Sequence, residues 1–424
     1  MLFRSTVGDT VDTNDQGVAS SIKADGGSVT AIDPFGLQQG SDDLRTFAGV
    51  KAGDHLLLSQ NDNPPQIEVT VTAPTGPNAI GSWEVFTSCG GGSIQPVIDE
   101  LAASDPTGTF TLAGCGTAAD FLVVGTGEGG MVATLYHPNI AVPAEGHVDI
   151  DLTQTQTSED YVDARSVAFS YSNVPVNAFQ VETRRQYSTQ LGRLDLELDQ
   201  RSGIEEGTAV IDLIEPNQAG VFGVTDTLLH VQSDSGLRSN DFHIYSYGAL
   251  APSYEIDLAA ADNLLLPGFT ADPVYDVATS SLAWDEDATG ATPDLTLTTI
   301  SVSRDLGVGT FAPEIPPPGT SWTWRLVAPY TAGEVKFPTL PADVRAWAPG
   351  ANDGVSIQGL VNAKVPGHYD GVRARVLNDV GPQEIAAAGT LITVEVGAPP
   401  DRTRSAAKAP ASHVLTNRRV AKQR

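Results

Sequence analysis

Short runs in which apolar and polar residues alternate recur along most of this chain of 424 residues. The alternation is clear at residues 67–71, 194–199, 295–302, 372–376 and 392–396. A period of two residues puts apolar side chains on one face of a β-strand and polar side chains on the other. Strands with one polar face are typical of antiparallel sheets that cover a core on one side only. The sequence therefore predicts an all-β protein built from antiparallel β-sandwiches.

Helices are expected to be rare in this chain. Residues 94–103 and 256–265 have the composition for one or two helical turns each, and Pro96 limits the first of them. Strands and helices do not alternate along the sequence, which disfavours a parallel α/β sheet. The 42 Gly and 28 Pro residues instead supply turns between short strands.

The length of the chain allows about two to four domains, at roughly 100–200 residues per domain. Turn-rich stretches at residues 61–65, 153–159 and 266–273 separate the strand runs. We predict β-rich domains in series followed by a tail: a small β-sandwich at 6–62, an Ig-like β-sandwich with a disulfide at 63–155, a β-rich domain at 156–268, a β-sandwich at 269–398, and a basic disordered tail at 399–424.

The formal net charge of −28 is unevenly distributed along the chain. Residues 401–424 contain seven Lys and Arg and one acid, which leaves 17 basic and 51 acidic side chains, a net charge of −34, in residues 1–400. A body this acidic repels phosphate backbones, so we expect no nucleic-acid partner. No apolar run is long enough to predict a transmembrane segment.

The two cysteines, Cys89 and Cys115, each follow a strand-like run. An even, minimal cysteine count in a large acidic β-protein indicates one disulfide and an oxidising compartment. Two buried free thiols are the alternative. Two cysteines form no zinc site without histidine partners, and no histidine stands at ligand spacing.

Catalytic, cofactor-binding and metal-binding motifs are not found, so the sequence predicts none of these sites. Residues 125–130 match G-x-G-x-x-G, but a strand-like run and Pro138 follow, which favours a glycine-rich hairpin turn over a dinucleotide site. The seven histidines are scattered. Trp322 and Trp324 alternate and share one strand face, which fits either a sugar-stacking ligand platform or packing in a sandwich core, and we favour the core.

The N-terminal segment resembles the carboxypeptidase regulatory-like family. The resemblance rests on residues 29–36, a strand followed by Asp-Pro-Phe-Gly, and on residues 46–58, which contain Phe-Ala-Gly-Val-Lys-Ala-Gly-Asp-His-Leu. It covers roughly residues 6–60 and implies a transthyretin-like or immunoglobulin-like β-sandwich, shorter than a typical member. Such modules serve as spacers, stabilisers or surface-presentation units, and the resemblance implies no catalytic residues.

These observations together predict a non-enzymatic, extracytoplasmic structural or binding protein of the bacterial cell envelope. We expect it to be periplasmic, lipid-anchored in the outer membrane or secreted, with a protein or glycan partner at the cell surface. Residues 1–5 resemble a translated sequencing adapter and no secretory signal follows, so we expect the native signal sequence to be missing from this chain. The alternative is a carbohydrate-binding accessory region of a secreted hydrolase.

Overall fold

The computed structural model describes residues 2–5, 10–12, 26–32, 44–51, 54, 66–76, 80–89, 105, 107–113, 115–143, 145–233, 239–260, 264–304, 321–342, 344–373 and 389–396. Within these ranges the regular structure is almost entirely β-strand, with one α-helix of six residues. The prediction of an all-β fold is confirmed, and the sheets are mostly antiparallel.

The described strands and the helix are numbered in chain order. They are β1 (Leu2–Ser5), β2 (Thr10–Asp12), β3 (Ser28–Ile32), β4 (Leu44–Ala48), β5 (Gln66–Thr72), β6 (Ser82–Thr87), β7 (Thr107–Ala113), β8 (Ala118–Gly127), β9 (Gly130–Ala141), β10 (Gly146–Asp151), β11 (Val162–Asp163), β12 (Arg165–Ser172), β13 (Ala178–Ser188), β14 (Arg193–Ser202), β15 (Ala209–Glu215), β16 (Phe222–Gln232), β17 (Ser239–Ala249), β18 (Ser253–Asp257), β19 (Val274–Asp276), β20 (Ser281–Ala283), β21 (Leu295–Ser303), β22 (Ser321–Pro329), β23 (Glu334–Lys336), β24 (Gly354–Lys364), α1 (His368–Arg373) and β25 (Leu391–Val396).

The segment that contains both cysteines forms a β-sandwich of two sheets. One sheet has the strand order β10–β5–β7 and the other β11–β9–β8–β6. The alternation at residues 67–71 is confirmed in β5, where Ile67, Val69 and Val71 are buried and the residues between them are not. Trp83 and Phe121 of the second sheet belong to the same apolar cluster. The period of two residues thus determines which face of β5 covers the core.

A sheet of twelve described strands forms the largest part of the fold, in the order β14–β13–β16–β17–β25–β24–β21–β22–β4–β3–β1–β2. Two three-stranded sheets, β15–β12–β18 and β19–β20–β23, share an apolar core with it. Phe169 of β12, Leu229 of β16 and Leu282 of β20 belong to this one core cluster. The large sheet is therefore one layer of a sandwich whose second layer is made of two smaller sheets.

Strand β25 connects two halves of the large sheet. One half is β14–β13–β16–β17 and the other is β24–β21–β22–β4–β3–β1–β2. It pairs antiparallel with β17 on one side and with β24 on the other. At the far end of the sheet, β4 pairs in parallel with β22. Strands from the segments 6–62, 156–268 and 269–398 therefore hydrogen-bond within one sheet. The domain boundaries inferred from the sequence stay predictions.

Strand β8 is buried on both faces. Phe121 and Val123 belong to the core of the cysteine-containing sandwich, whereas Leu122 and Val124 belong to the core cluster of the large sheet. Because alternate residues of a strand point to opposite faces, β8 packs the two sandwiches against each other.

Three local predictions from the sequence have different outcomes. The strand predicted at 372–376 is wrong at residues 372 and 373, which end α1, and the rest lies outside the described residues. The helix predicted at 256–265 is also wrong at residues 256–260, because β18 ends at Asp257 and a turn follows it, while residues 261–263 lie outside the described residues. The predicted helix at 94–103 and the tail lie outside the described residues. Both errors arose where the pattern spanned too few residues to distinguish the two-residue period of a strand from the 3.6-residue period of a helix.

The stretch at 266–273 is tied to the sheet rather than free. Asn240, buried on β17, accepts a hydrogen bond from the Phe269 amide at 2.8 Å and donates one to the Phe269 carbonyl at 3.1 Å. The Phe269 side chain is fully buried in the main core. A turn-rich composition here marks a packed connection and not a hinge.

Candidate functional site

Cys89 and Cys115 form a disulfide, as the sequence predicts, and the chain has no other cysteine. Cys89 follows β6 and Cys115 precedes β8, so the bond ties together two ends of paired strands. Next to it, the Ser88 amide donates to the Asp120 carbonyl at 3.0 Å and the Asp120 amide donates to the Ser88 hydroxyl at 2.7 Å. The alternative of two free thiols is therefore wrong.

Trp322 and Trp324 both lie in the core, where they are 2% and 1% exposed. The Trp322 indole donates to the Trp347 carbonyl at 3.0 Å, and the guanidinium of Arg304 lies 4.7 Å from the Trp322 ring centroid. The Trp324 indole donates to the Thr46 hydroxyl at 2.8 Å. Neither ring is open to solvent, so the two residues form no sugar platform and the interpretation as core residues is correct.

The glycine-rich run at 125–130 is a hairpin turn. It joins β8 to β9, with Gly127 paired to Gly130, and the residues after it continue as a strand. Gly129 and Gly130 have φ angles of +124° and +112°, which side chains other than glycine rarely adopt. The prediction of a turn is confirmed.

The strongest candidate for a functional surface is a run of ionisable side chains on one face of five adjacent strands, which we call the charged face. It consists of Asp199 and Arg201 on β14, Glu182 and Arg184 on β13, Asp226 and His230 on β16, Asp241 and His243 on β17, and Glu395 on β25. Where one strand contributes two of these residues, the two are separated by two or four positions. This spacing places both side chains on the same face of the sheet.

His230 lies between two carboxylates from neighbouring strands. Its Nδ1 is 2.8 Å from Asp241 Oδ1 and its Nε2 is 3.0 Å from Glu182 Oε1. An ionised carboxylate only accepts hydrogen bonds, so both ring nitrogens must donate, which only the imidazolium can do. The hydrogen bonds to Asp241 and Glu182 raise the pKa of His230 to about 9.

His243 makes the corresponding contacts one strand further along. Its Nδ1 lies 3.0 Å and 3.1 Å from the two Asp226 oxygens, and its Nε2 lies 3.9 Å from Glu395 Oε1. Burial disfavours the charged imidazole, but the contacts with Asp226 and Glu395 outweigh burial and raise the pKa of His243 to about 9.

Two arginines complete the charge pairing on β13 and β14. Arg201 Nε lies 3.2 Å from Glu182 Oε1, and Arg184 bridges Glu182 at 3.3 Å and Asp199 at 3.7 Å. Burial works against ionisation of Glu182, but the hydrogen bond from His230 and the charge of Arg201 keep its pKa lowered. Cations and carboxylates thus alternate across the sheet, and each cation contacts at least one carboxylate.

Aromatic rings border the charged face at two places. Phe179 stacks on His230 with 5.8 Å between centroids, and Phe222 stacks on Tyr247 at 5.7 Å. Phe179 and Tyr247 are 49% and 38% exposed, which single apolar groups on a surface often are. The face can make polar and stacking contacts. Within the described ranges, no group of three or more His, Cys, Asp or Glu side chains could hold a metal ion.

A second polar cluster lies inside the core, behind the charged face. Arg185 and Glu215 are 1% and 0% exposed at their side chains, and Arg185 Nε lies 3.4 Å from Glu215 Oε2. Glu215 also accepts hydrogen bonds from Arg165 at 2.9 Å and from the Tyr187 hydroxyl at 3.1 Å. The Arg185 guanidinium donates to the Tyr254 hydroxyl at 3.0 Å and lies 4.9 Å from the centroid of that ring. These groups form a buried ion pair in which Glu215 accepts two hydrogen bonds, whereas Arg185 Nε and Arg165 Nε have no hydrogen-bond partner within the described part of the chain.

Sequence reasoning missed both polar clusters. It treated the histidines of the charged face as scattered, and it did not pair Arg185 with Glu215, which lie on β13 and β15. His230 and Asp241 face each other only because β16 and β17 form a hairpin in the register that pairs these two residues. The available signal was the placement of His230 and Asp241 at equal distances from the middle of the segment that joins two strand-like runs.

Comparisons with known proteins give little. No protein-family model and no curated protein matches the sequence. Among solved structures, the chain is similar over 46% of its length to a leucine-rich repeat protein from Bacteroides thetaiotaomicron, at 12% identity and a TM-score of 0.17, and it covers 26% of that protein. It is similar over 47% of its length to a putative cell adhesion protein from Parabacteroides distasonis, at 9% identity and a TM-score of 0.14, and covers 90% of that protein. Within the described residues, no helix has the length and hydrophobicity to span a bilayer.

Proposed function

We propose that this protein is a non-enzymatic, extracytoplasmic structural or binding component of the bacterial cell envelope. The observation that carries the proposal is the disulfide between Cys89 and Cys115 in a chain with no free cysteine. Structural disulfides persist in oxidising compartments and are rare in the cytoplasm. We expect an extracytoplasmic protein of this kind to bind through its own surface to a protein or a glycan of the cell surface.

The state of the ionisable groups supports a non-enzymatic function. The two histidines with strongly raised pKa values are each paired with carboxylates, as are Arg184 and Arg201 beside them. A general base must be able to accept a proton near the working pH, and an imidazolium held by two carboxylates cannot. This pairing is the pattern of a structural ion network.

The alternative function, a carbohydrate-binding accessory region, rested on Trp322 and Trp324. Because both rings are buried, that function has lost its aromatic platform. We therefore retain the structural or binding function.

Cell fractionation tests the proposal. An antibody against the purified chain is used to follow the protein in the cytoplasmic, periplasmic, outer-membrane and culture-medium fractions of the producing cells. We expect it in the envelope fractions or the medium. Recovery with a cytoplasmic marker enzyme would overturn the proposed location, and turnover of a substrate by the purified chain would overturn the non-enzymatic function.

A further inference from the structure

We propose that His243 is a proton-dependent tie that holds strand β25 to β17, so that loss of its proton loosens the junction between the two halves of the large sheet. The proposal concerns the charged face and does not depend on where the protein resides.

The position of His243 makes such a tie possible. It lies on β17, with Asp226 of β16 at 3.0 Å on one side and Glu395 of β25 at 3.9 Å on the other. One imidazolium therefore faces carboxylates from two different strands. The neutral ring has a single N–H, so on losing its proton it keeps at most one of these two contacts in its present form.

The strand that the tie holds is the junction itself. Among the described strands, β25 alone pairs with both halves of the large sheet, through β17 and β24. Ile392 and Val394 of β25 are buried in the main core, and Leu391 belongs to the apolar cluster on the opposite face. Apolar packing holds β25 in place, and the tie adjusts how often the strand opens.

The charged groups around His243 come from every described strand on this part of the face. They are Asp226 and His230 on β16, Asp241 and Tyr245 on β17, Glu182 and Arg184 on β13, Glu197, Asp199 and Arg201 on β14, and Glu395 on β25. The cations on β13 and β14 pair with Glu182 and Asp199. Asp226 lies across from Arg184 as well as beside His243, so it keeps a cation when His243 becomes neutral, whereas Glu395 loses the cation that it contacts.

The direction of the pH effect follows from the raised pKa. A histidine whose folded pKa is about 9, against about 6.5 when unfolded, adds stability that is complete below pH 6.5 and is lost as pH rises through 9. When β25 separates from β17, His243 loses its contact with Glu395 but keeps its contact with Asp226. Only part of the pH-dependent stability therefore acts on the opening of β25. We expect about a tenfold change in the opening constant, which corresponds to one pKa unit.

Hydrogen–deuterium exchange of the full-length protein tests the tie. The amides of residues 391–396 are followed from about pH 6 to about pH 10, and each rate is divided by its intrinsic exchange rate to give an opening constant. In the wild-type protein we expect that constant to rise about tenfold as His243 loses its proton. In His243→Gln the constant should be high at all pH values.

Two further variants separate the tie from general destabilisation. Glu395→Gln removes the β25 end of the contact at a side chain that is 48% exposed, and it should also abolish the pH dependence. His230→Gln removes the neighbouring imidazolium, which contacts β13 and β17 but not β25, and should preserve the pH dependence. His147, held by Glu68 and Asp149 at 3.0 Å each in the other sandwich, supplies a distant control variant.

A wild-type opening constant for β25 that stays flat across this pH range would overturn the proposal. So would an unchanged pH dependence in both His243→Gln and Glu395→Gln. If His243→Gln does not fold, the result for Glu395→Gln decides.

Discussion

Loss of Glu215 from the buried Arg185–Glu215 pair should destabilise the protein strongly, and additional loss of Arg185 should then restore part of the lost stability. Glu215 is fully buried and is the carboxylate that faces Arg185. Glu215→Gln leaves the Arg185 guanidinium inside the core without a counter-charge. A buried charge left unpaired costs about 3–5 kcal/mol, so we expect Glu215→Gln to lower the free energy of unfolding by about 4 kcal/mol.

The opposite variant should be milder because Glu215 has other partners. In Arg185→Met, Glu215 keeps the hydrogen bonds from Arg165 and from the Tyr187 hydroxyl. We therefore expect a loss of about 2 kcal/mol, which is within the cost of leaving buried polar groups short of a partner. The double variant contains neither buried charge and should resemble Arg185→Met alone.

Urea unfolding followed by tryptophan fluorescence measures these differences. Trp284, Trp322, Trp324 and Trp347 all belong to the core cluster of the large sheet, so their emission reports on the part of the fold that contains the pair. The four proteins form a double-mutant cycle, which isolates the coupling between the two side chains. Losses that simply add in the double variant, or a loss below about 1 kcal/mol for Glu215→Gln, would refute the reasoning.

Two further predictions concern packing and the disulfide. A Cβ atom at Gly223 would lie 2.0 Å from Arg185 Nη2, so Gly223→Ala should cost about 1–3 kcal/mol in urea unfolding. Its cross-strand partner Gly248 has open space around the position of a Cβ atom, so the stability of the matched variant Gly248→Ala should stay within about 0.5 kcal/mol of wild type. Equal losses of stability in the two variants would contradict the packing argument. Replacement of Cys89 and Cys115 by Ser should lower the free energy of unfolding by about 3.5 kcal/mol, because the disulfide closes a loop with a sequence separation of 26. Scanning calorimetry of the variant should show a lower unfolding temperature for the cysteine-containing sandwich. An unfolding temperature unchanged from that of the oxidised protein would contradict this.

The alternation of apolar and polar residues predicted strands well where it was long. Residues 194–199 and 295–302 lie in β14 and β21, and the predicted inward leucines Leu194, Leu196 and Leu198 are buried. At residues 372 and 373 the same pattern failed, because the turn at Gly367 and His368, both with positive φ, starts a helix there. Local periodicity does not record such a turn.

The order of strands in the large sheet could not be predicted from the sequence. β25 lies between β17 and β24, and β4 pairs with β22, although these strands are far apart in the chain. Such pairings depend on which apolar faces meet in the folded core, and nothing in a single strand specifies its partner. For the same reason the His230 and His243 contacts were missed, whereas the disulfide, which needs only two cysteines, was predicted.

The oxidation state of Cys89 and Cys115 in the producing cells bears most directly on the proposed location. Cells are quenched in acid, free thiols are alkylated without prior reduction, and the mass of the purified chain is measured before and after reduction. We expect no alkylation until the disulfide is reduced, and alkylation of both cysteines afterwards. Two alkylated cysteines without reduction would mean that the chain resides in a reducing compartment, and would contradict an extracytoplasmic function.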